Sequence, residues 1–346
     1  MFPLTVNRLS LALYVDKRGM AQLLKMMKAV RVHKFGGPEV LKTETIPIPS
    51  IKHNKVLIHV RAAGINPADT YIRSGGYGLL PELPAILGKD VAGEVEEVGE
   101  TVKNFKKGQR VFAELQERNG GYAEYVACPE DNVFPLAHRL TFAQGAGLYI
   151  PYVTAYRGLV TKCKAKAGQL LLVHGASGAV GVAAVQLAKS LGLTVVGTAG
   201  SSEGLELVKK VGADHVFNHR TDGYLEGAVK TVGKFDIIFE NLSNVNLGAD
   251  LTVMNKNASI AIVGCRGTVE INPRLIMQAE ATVHGVFLYN STSEERQAAI
   301  DNLLEGIAKG WVNPVVAKEY KFEEAPQAHH DIIHTKGATG RLVLTP

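Results

Sequence analysis

Residues 170–181 read LLLVHGASGAVG, four apolar residues running directly into a knot of small ones. An apolar run of that length emptying into a tight turn reads as a strand. The stretch that follows, VGVAAVQLAKSLG, returns Val180, Ala184, Leu187 and Leu191 at helical spacing, the stripe a helix lays against a sheet. Within the turn, Ala176, Gly178 and Gly181 take the three small positions of a dinucleotide fingerprint, with Ala in place of the first Gly. Small residues let the backbone approach a pyrophosphate, and the unpaired N–H groups at the helix N-terminus stabilise its charge.

The next strand, TVVGTAG, ends about twenty residues on, where an NAD-specific fold offers a carboxylate to the ribose 2′-hydroxyl. This chain offers Gly200, Ser201 and Ser202 there. Hydroxyl and backbone donors accommodate a 2′-phosphate that a carboxylate would repel, so the expected cofactor is NADPH. Glu203 suits the first turn of the following helix, or reaches the ribose.

Around this unit, LLLVH, TVVGTA, HVFN, FDIIFE, ASIAIVG and TVHGVF are short apolar strands separated by helical segments. That rhythm predicts an α/β fold with a doubly wound parallel sheet. Upstream the texture differs: MKAVRVHKF alternates, and KVLIHVRAAGI and VAGEVEEVGETV are strand-like runs punctuated by Gly and Pro, which predicts a β-rich module. EERQAAIDNLLEGIAKG carries Ala299, Ile300, Leu303, Leu304 and Ile307 on one face, and GRLVLTP closes with a strand, so the chain is expected to return to that module from residue 288.

At 346 residues the chain is long enough for two domains that each bury a core. The net charge of +5 is spread over scattered Lys and Arg, which excludes a dedicated nucleic-acid arm. Cys128, Cys163 and Cys265 are odd in number and unpaired in spacing, which points to a reducing, cytoplasmic setting rather than a disulfide framework. No apolar run approaches the ~18 residues of a membrane span. Residues 1–26 hold Arg8, Lys17, Arg18 and Lys25 against one acid, Asp16, and are expected as a disordered or alternative-start extension, or as a mitochondrial presequence.

The motifs GINPADTYIRSG (64–75), KDVAGEVEEVG (89–99), GGYAEY (120–125), IPYVTAYRGL (150–159), VHGASGAVG (173–181), FNHR (217–220) and GCRGTVEINPR (264–274) together carry a resemblance. The chain resembles the zinc-free quinone oxidoreductases of the medium-chain dehydrogenase/reductase superfamily, ζ-crystallin type. The resemblance implies a GroES-like β-rich catalytic domain (27–149 and 288–346) plus a Rossmann doubly wound parallel sheet (150–287), with NADPH in the cleft between them. It implies that Ser177, Gly178, Ala179 and Val180 hold the pyrophosphate, that Gly200 ends the second strand and that His219 lies near the adenosine. By the same resemblance Asn246, Val263, Gly264, Cys265, Arg266, Val286, Phe287 and Leu288 flank the ribose and nicotinamide, and Tyr71 reaches the cofactor from the other domain. A homodimer or homotetramer is implied too, with RNA binding or a structural crystallin role as a secondary activity.

Zinc-dependent relatives place Cys where this chain has Asn66 and a His-Glu pair where it has Lys89-Asp90, so no metal is expected. The short stretch from Val111 to Gly120 also leaves no room for a four-cysteine structural lobe. Without a Lewis acid the acceptor must need little activation, which favours a quinone. An NADPH-dependent enone double-bond reductase is the alternative. Asn66 and Tyr71 are the candidates for hydrogen bonds to substrate oxygen. From the residues alone, Asn66 before Pro67 also suits a turn, Tyr71 suits the core, and His219 beside Arg220 suits a solvated loop. Cys265 is expected as a small buried apolar residue rather than a reactive thiol.

Overall fold

A computed structural model describes residues 11–15, 21–115 and 120–346. The described residues fold as two compact units, the first drawn from the ranges 1–146, 318–333 and 342–346, the second from 147–317 and 334–341.

The first unit is built from strands β1 (Leu11–Val15), β2 (Ala21–Val32), β3 (Leu41–Pro47), β4 (Lys55–Gly64), β5 (Ala85–Ile86), β6 (Asp90–Val98), β7 (Arg110–Glu114), β8 (Tyr125–Pro129) and β9 (Val133–Pro135). Helices α1 (Pro67–Ser74) and α2 (Phe142–Gly145) accompany them. β4, β6, β7 and β9 pair antiparallel in that order, with β8 on β4, while β2 pairs with β1, β3 and β5. Period-two alternation turns Val30, Ile58, Val60, Val91, Val95 and Val111 inward to one core closed by the fully buried Tyr122.

The extension expected over residues 1–26 is strand where it is described. β1 pairs with β2 from Leu11 opposite Lys25 to Val15 opposite Ala21, so the β2 ladder begins at Ala21 rather than Met27. Residues 1–10 and 16–20 lie outside the described residues.

The second unit opens with α3 (Tyr149–Tyr156) and then alternates β10 (Leu170–Val173), α4 (Ala179–Ser190), β11 (Thr194–Ala199), α5 (Ser202–Lys210), β12 (His215–Asn218) and α6 (Tyr224–Val232). β13 (Phe235–Glu240), α7 (Ser243–Asp250), β14 (Met254–Ile262), α8 (Pro273–Ala279) and β15 (Thr282–Gly285) follow, then α9 (Ser293–Lys309). β16 (Val316–Lys321), α10 (Ala325–His334) and β17 (Arg341–Thr345) end the chain. The parallel sheet runs β12-β11-β10-β13-β14-β15, the doubly wound order with its reversal between β10 and β13. Strands of such a sheet are covered on both faces, which is why β10 is an unbroken apolar run and β13 is apolar from Ile237 to Phe239.

Two expectations are corrected here. Helix α4 is buried all round from Gly181 to Ala188, with Val180 and Leu191 only partly covered, because α3 packs on the side away from the sheet. Residues 288–317 do not rejoin the β-rich unit: α9 stays with the parallel sheet, and the return begins at Lys318. The buried Arg157 guanidinium pairs with Glu295 and bonds Asn290 O at 3.1 Å, while Arg296 bonds the Tyr149 hydroxyl at 2.9 Å. These contacts anchor α9 to the α3 side. Thr292 and Glu295 cap its start reciprocally, and Gly310 ends it at φ +85°. Among the described residues no helix is long and apolar enough to cross a membrane.

Candidate active site

In the second unit, every residue singled out for the cofactor lies at or just beyond the carboxyl end of a parallel strand. After β10, Gly175 takes φ +60°, a left-handed conformation that suits Gly, and Ala176 N donates to Thr198 O at 2.8 Å. A Cβ on Gly181 would lie 2.3 Å from Gly175 O and 2.6 Å from Ala176 Cα, so that position admits no side chain. A Cβ on Gly178 would meet nothing closer than Gly175 O at 3.5 Å. The turn is therefore closed on its inner side at Gly181 and open outward at Gly178. Val182 N makes the first α4 bond, to Gly178 O at 2.8 Å, so Ala179, Val180 and Gly181 are first-turn N–H groups with no helical acceptor. Such an end attracts an anion. Ser177 is buried, with Oγ 3.2 Å from where a Gly204 Cβ would stand.

At the end of β11, His219 Nε2 and Arg220 Nε lie 2.6 and 2.9 Å from where a Gly200 Cβ would be. Both side chains thus cover Gly200, and Arg220 brings a fixed positive charge. Ser201 caps α5 by accepting from Gly204 N at 3.1 Å. Glu203 belongs to the first turn of α5, its carboxyl held below the usual range by backbone N–H first and then by the Ser201 and Ser202 hydroxyls. Beside them the segment 334–341 comes in: Gly340 bridges Gly178, and a Gly337 Cβ would fall 2.7 Å from Ser201 Oγ.

Asn246, on α7, donates to Glu240 Oε1 at 3.2 Å. Beyond β14, Val263 N and Gly264 N both reach Glu240 O. A Gly264 Cβ would sit 2.2 Å from Asn241 O, which fixes glycine there. Arg266 N donates to Asn244 Oδ1 at 2.8 Å. Cys265 is exposed, not buried as expected. It sits on the loop after the strand, where the Ser243 hydroxyl first and then the Gly267 backbone lower its thiol pKa. Beyond β15, Val286 N bonds Ile262 O, Phe287 is exposed with its ring tilted against Tyr289, and Leu288 begins a short turn.

In the first unit, Asn66 starts α1 and is 5% exposed. Its backbone N–H donates to Asp69 Oδ2 at 2.8 Å, and its side-chain Nδ2 to Asp90 Oδ2 at 3.2 Å. The side chain is thus oriented by a distant carboxylate, beyond what a local turn requires. Tyr71 is only partly buried; the core residue of α1 is Ile72. Tyr122 donates to Asp69 Oδ2 at 3.0 Å, and His329 Nε2 lies 3.2 Å from the Tyr122 oxygen. Lys89 is buried, and burial pushes its ammonium pKa down while Asp69, Glu114 and Asp90 pull it up. Asp69 could have been read from the N-x-x-D spacing of a capping box; His329 carries no such signal.

Residues 52–138 match the family described as alcohol dehydrogenase GroES-like domain, and residues 179–305 match zinc-binding dehydrogenase. A quinone oxidoreductase of Sus scrofa is 49% identical over 328 residues, covering 94% of this chain and 99% of the relative. The Homo sapiens quinone oxidoreductase is 48% identical with the same coverage. The chain belongs to the quinone oxidoreductases of the medium-chain dehydrogenase/reductase superfamily, ζ-crystallin type. Among solved structures, an Escherichia coli quinone oxidoreductase complexed with NADPH is 30% identical, with a TM-score of 0.81 over 92% of this chain and all of that one. An NAD-dependent alcohol dehydrogenase superposes with a TM-score of 0.86 at 27% identity, so the quinone oxidoreductase fold does not by itself select the reaction.

The matched family description names zinc, and this quinone oxidoreductase's residues do not fit it. Of Asn66, Lys89 and Asp90, the ammonium has no lone pair to give, the amide nitrogen is committed to Asp90, and one carboxylate remains. The nucleotide residues do fit NADPH: an open Gly178, an anion-attracting helix end, and a cation in place of a carboxylate at Gly200.

Proposed function

We propose that this chain is an NADPH-dependent quinone reductase that works without a metal. The observation that carries the reading is the Asn66–Asp90 hydrogen bond beside Lys89, which occupies the positions where metal-dependent relatives hold their electrophile. Bound NADPH supplies the reducing equivalents. The N–H groups of Ala179 and Val180 hold the pyrophosphate, with the open face of Gly178 admitting it and Ser177 shaping the turn. Arg220 over Gly200 neutralises the 2′-phosphate, with the His219 ring beside it. Asn246, the close backbone at Val263, Gly264, Cys265 and Arg266, and Val286, Phe287 and Leu288 line the ribose and nicotinamide end and exclude water there.

Asn66 and Tyr71 hydrogen-bond the acceptor oxygen, Asn66 in an orientation set by Asp90. A quinone spreads added charge over two oxygens and a ring, so this modest assistance suffices. A cytoplasmic homodimer or homotetramer completes the proposal; sizing of the purified protein tests its assembly. The deciding experiment follows NADPH and NADH oxidation with a panel of ortho-quinones, naphthoquinones and a simple enone. NADPH-preferring quinone turnover is expected. A much faster enone reaction would replace the reading with a double-bond reductase, and no oxidation with any acceptor would end it.

A further inference from the structure

Three titratable side chains with no part in the roles above lie beneath the nucleotide turn. His174 follows β10, Glu240 ends β13 and Asp250 ends α7, and each is 1% exposed or less. β10 and β13 are the neighbours at which the strand order reverses, the switch point where open α/β sheets bind nucleotides. His174 Nε2 lies 2.8 Å from Asp250 Oδ1 and 3.7 Å from Glu240 Oε2, and its Nδ1 is 3.4 Å from the Thr198 hydroxyl. Glu240 Oε1 accepts from Leu242 N–H and from Asn246. Glu240 Oε2 and Asp250 Oδ2 are sealed from solvent and have no hydrogen-bond partner.

Two ligands each 2.0–2.2 Å from a tetrahedral zinc stand roughly 3.3 Å apart. At 2.8 Å the His174–Asp250 contact is shorter than that spacing and is a hydrogen bond, so in this arrangement the pair shares a proton. One imidazolium compensates one carboxylate. A second carboxylate in the same sealed space would be an uncompensated buried charge, which folded proteins avoid by keeping it protonated. Burial accordingly pushes the Glu240 carboxyl up to about 7, with His174 opposing the rise and Asp250 adding to it. The other groups facing the cluster are Tyr224 from α6, with Glu226 beyond it, and His219 after β12, with Arg220 beyond it. Burial pushes the Tyr224 phenol up, and desolvation first, then the His174 and Arg220 charges, push the His219 imidazole down, so neither offers Glu240 a compensating positive charge.

We propose that Glu240 is a proton-coupled positioning residue for the cofactor: a solvent proton moves onto its Oε2 as NADPH binds, and removing that proton weakens NADPH binding. The inference rests on the NADPH reading above. An ionised Glu240 beneath the turn repels the diphosphate that the α4 N–H groups attract, and a neutral one does not. Through Oε1 it keeps Asn246 in place in either state. Coupling is reciprocal, so NADPH raises the proton affinity of Glu240 by the factor by which the proton strengthens NADPH.

Nicotinamide fluorescence gives the NADPH Kd of wild type and Glu240→Gln between pH 6 and 8.5. The amide stays neutral at every pH and keeps an oxygen to accept from Leu242 N–H and Asn246. Dividing the wild-type Kd by that of the variant cancels the ionisation of the 2′-phosphate, whose own pKa is near 6. The ratio is expected to rise roughly threefold to tenfold across the range. A flat ratio overturns the proposal, whereas absence of NADPH binding in both proteins at every pH overturns the NADPH reading instead. An infrared difference spectrum of wild type on NADPH addition at pH 8 decides the matter even if the variant does not fold. It should gain a protonated-carboxyl band, and no gain overturns the proposal.

Discussion

The imidazole of His329 on α10 meets the phenolic oxygen of Tyr122 at 3.2 Å, and Tyr122 in turn spends its proton on Asp69. A neutral imidazole therefore donates through Nε2. Burial first and Arg73 second push its pKa down to about 3. The unfolded chain takes up this proton near pH 6.5 and the folded chain only near 3, so the unfolded state holds more protons between those values. The stability contribution is complete above pH 6.5 and is lost as pH falls towards 3. Urea unfolding at pH 7 and pH 5 should show wild type losing about 2 kcal/mol more than His329→Leu between the two. Equal losses would mean that the buried imidazole does not set the acid limb.

Gly178 and Gly181 are three residues apart and should respond oppositely to the same methyl. Gly181→Ala drives a Cβ to 2.3 Å from a backbone carbonyl that cannot move aside. A loss of about 2–3 kcal/mol in unfolding free energy is expected, as for other overpacked sites. Gly178→Ala meets only Gly175 O, at an ordinary contact distance of 3.5 Å, and should leave the melting temperature nearly unchanged, while NADPH Kd rises by about tenfold as the methyl fills the pyrophosphate approach. Parallel melting and binding curves check both.

Arg220 over Gly200 is the charge that distinguishes the two nicotinamide cofactors. Arg220→Ala should lower kcat/KM for NADPH by about tenfold to a hundredfold, the worth of one charge-assisted hydrogen bond, and leave NADH within about twofold. Steady-state kinetics with both cofactors and one quinone measure this, and an equal loss for both would remove Arg220 from phosphate recognition.

Dialysis against a strong chelator should leave turnover intact, because the Asn66, Lys89 and Asp90 donor set suits no zinc ion. Asn66→Ala should then reduce quinone turnover by about tenfold while NADPH affinity changes less than about twofold, since one directed hydrogen bond is lost on the acceptor side only. Metal analysis of the dialysed protein with an activity assay settles the first point, and Asn66→Ala kinetics the second.

The parallel strands were legible because both faces of the sheet centre are covered, so LLLV of β10 and the Ile237–Phe239 stretch of β13 are apolar without alternation. The Gly-rich turn was legible from spacing, since Gly181 leaves no alternative residue. Helix α9 shows the limit of periodicity. Its stripe of Ala299, Ile300, Leu303 and Ile307 announces that it packs, but the partner is chosen by Arg157 and Glu295, which lie 138 positions apart. The same distance problem hid the His174, Glu240 and Asp250 cluster, which only the strand order brings together. Asn66 and Tyr71 were found through resemblance, and what orients Asn66, Asp90 at 24 residues' remove, was not. Cys265 was misjudged because residue type forecasts average burial, and it stands on the loop after a strand rather than in it.

The eight residues His334–Arg341 belong to the nucleotide unit although the sequence on either side of them builds the other. Gly340 bridges the pyrophosphate turn at Gly178, and Arg341 N bonds Val315 O at 2.7 Å. Neither half of this molecule is thus a self-sufficient hereditary module. Shuffling residues 147–317 into another gene would deliver a turn stripped of its tail-borne brace, and trimming the last dozen residues would take away the final strand of one half and the coenzyme-side brace of the other in a single cut.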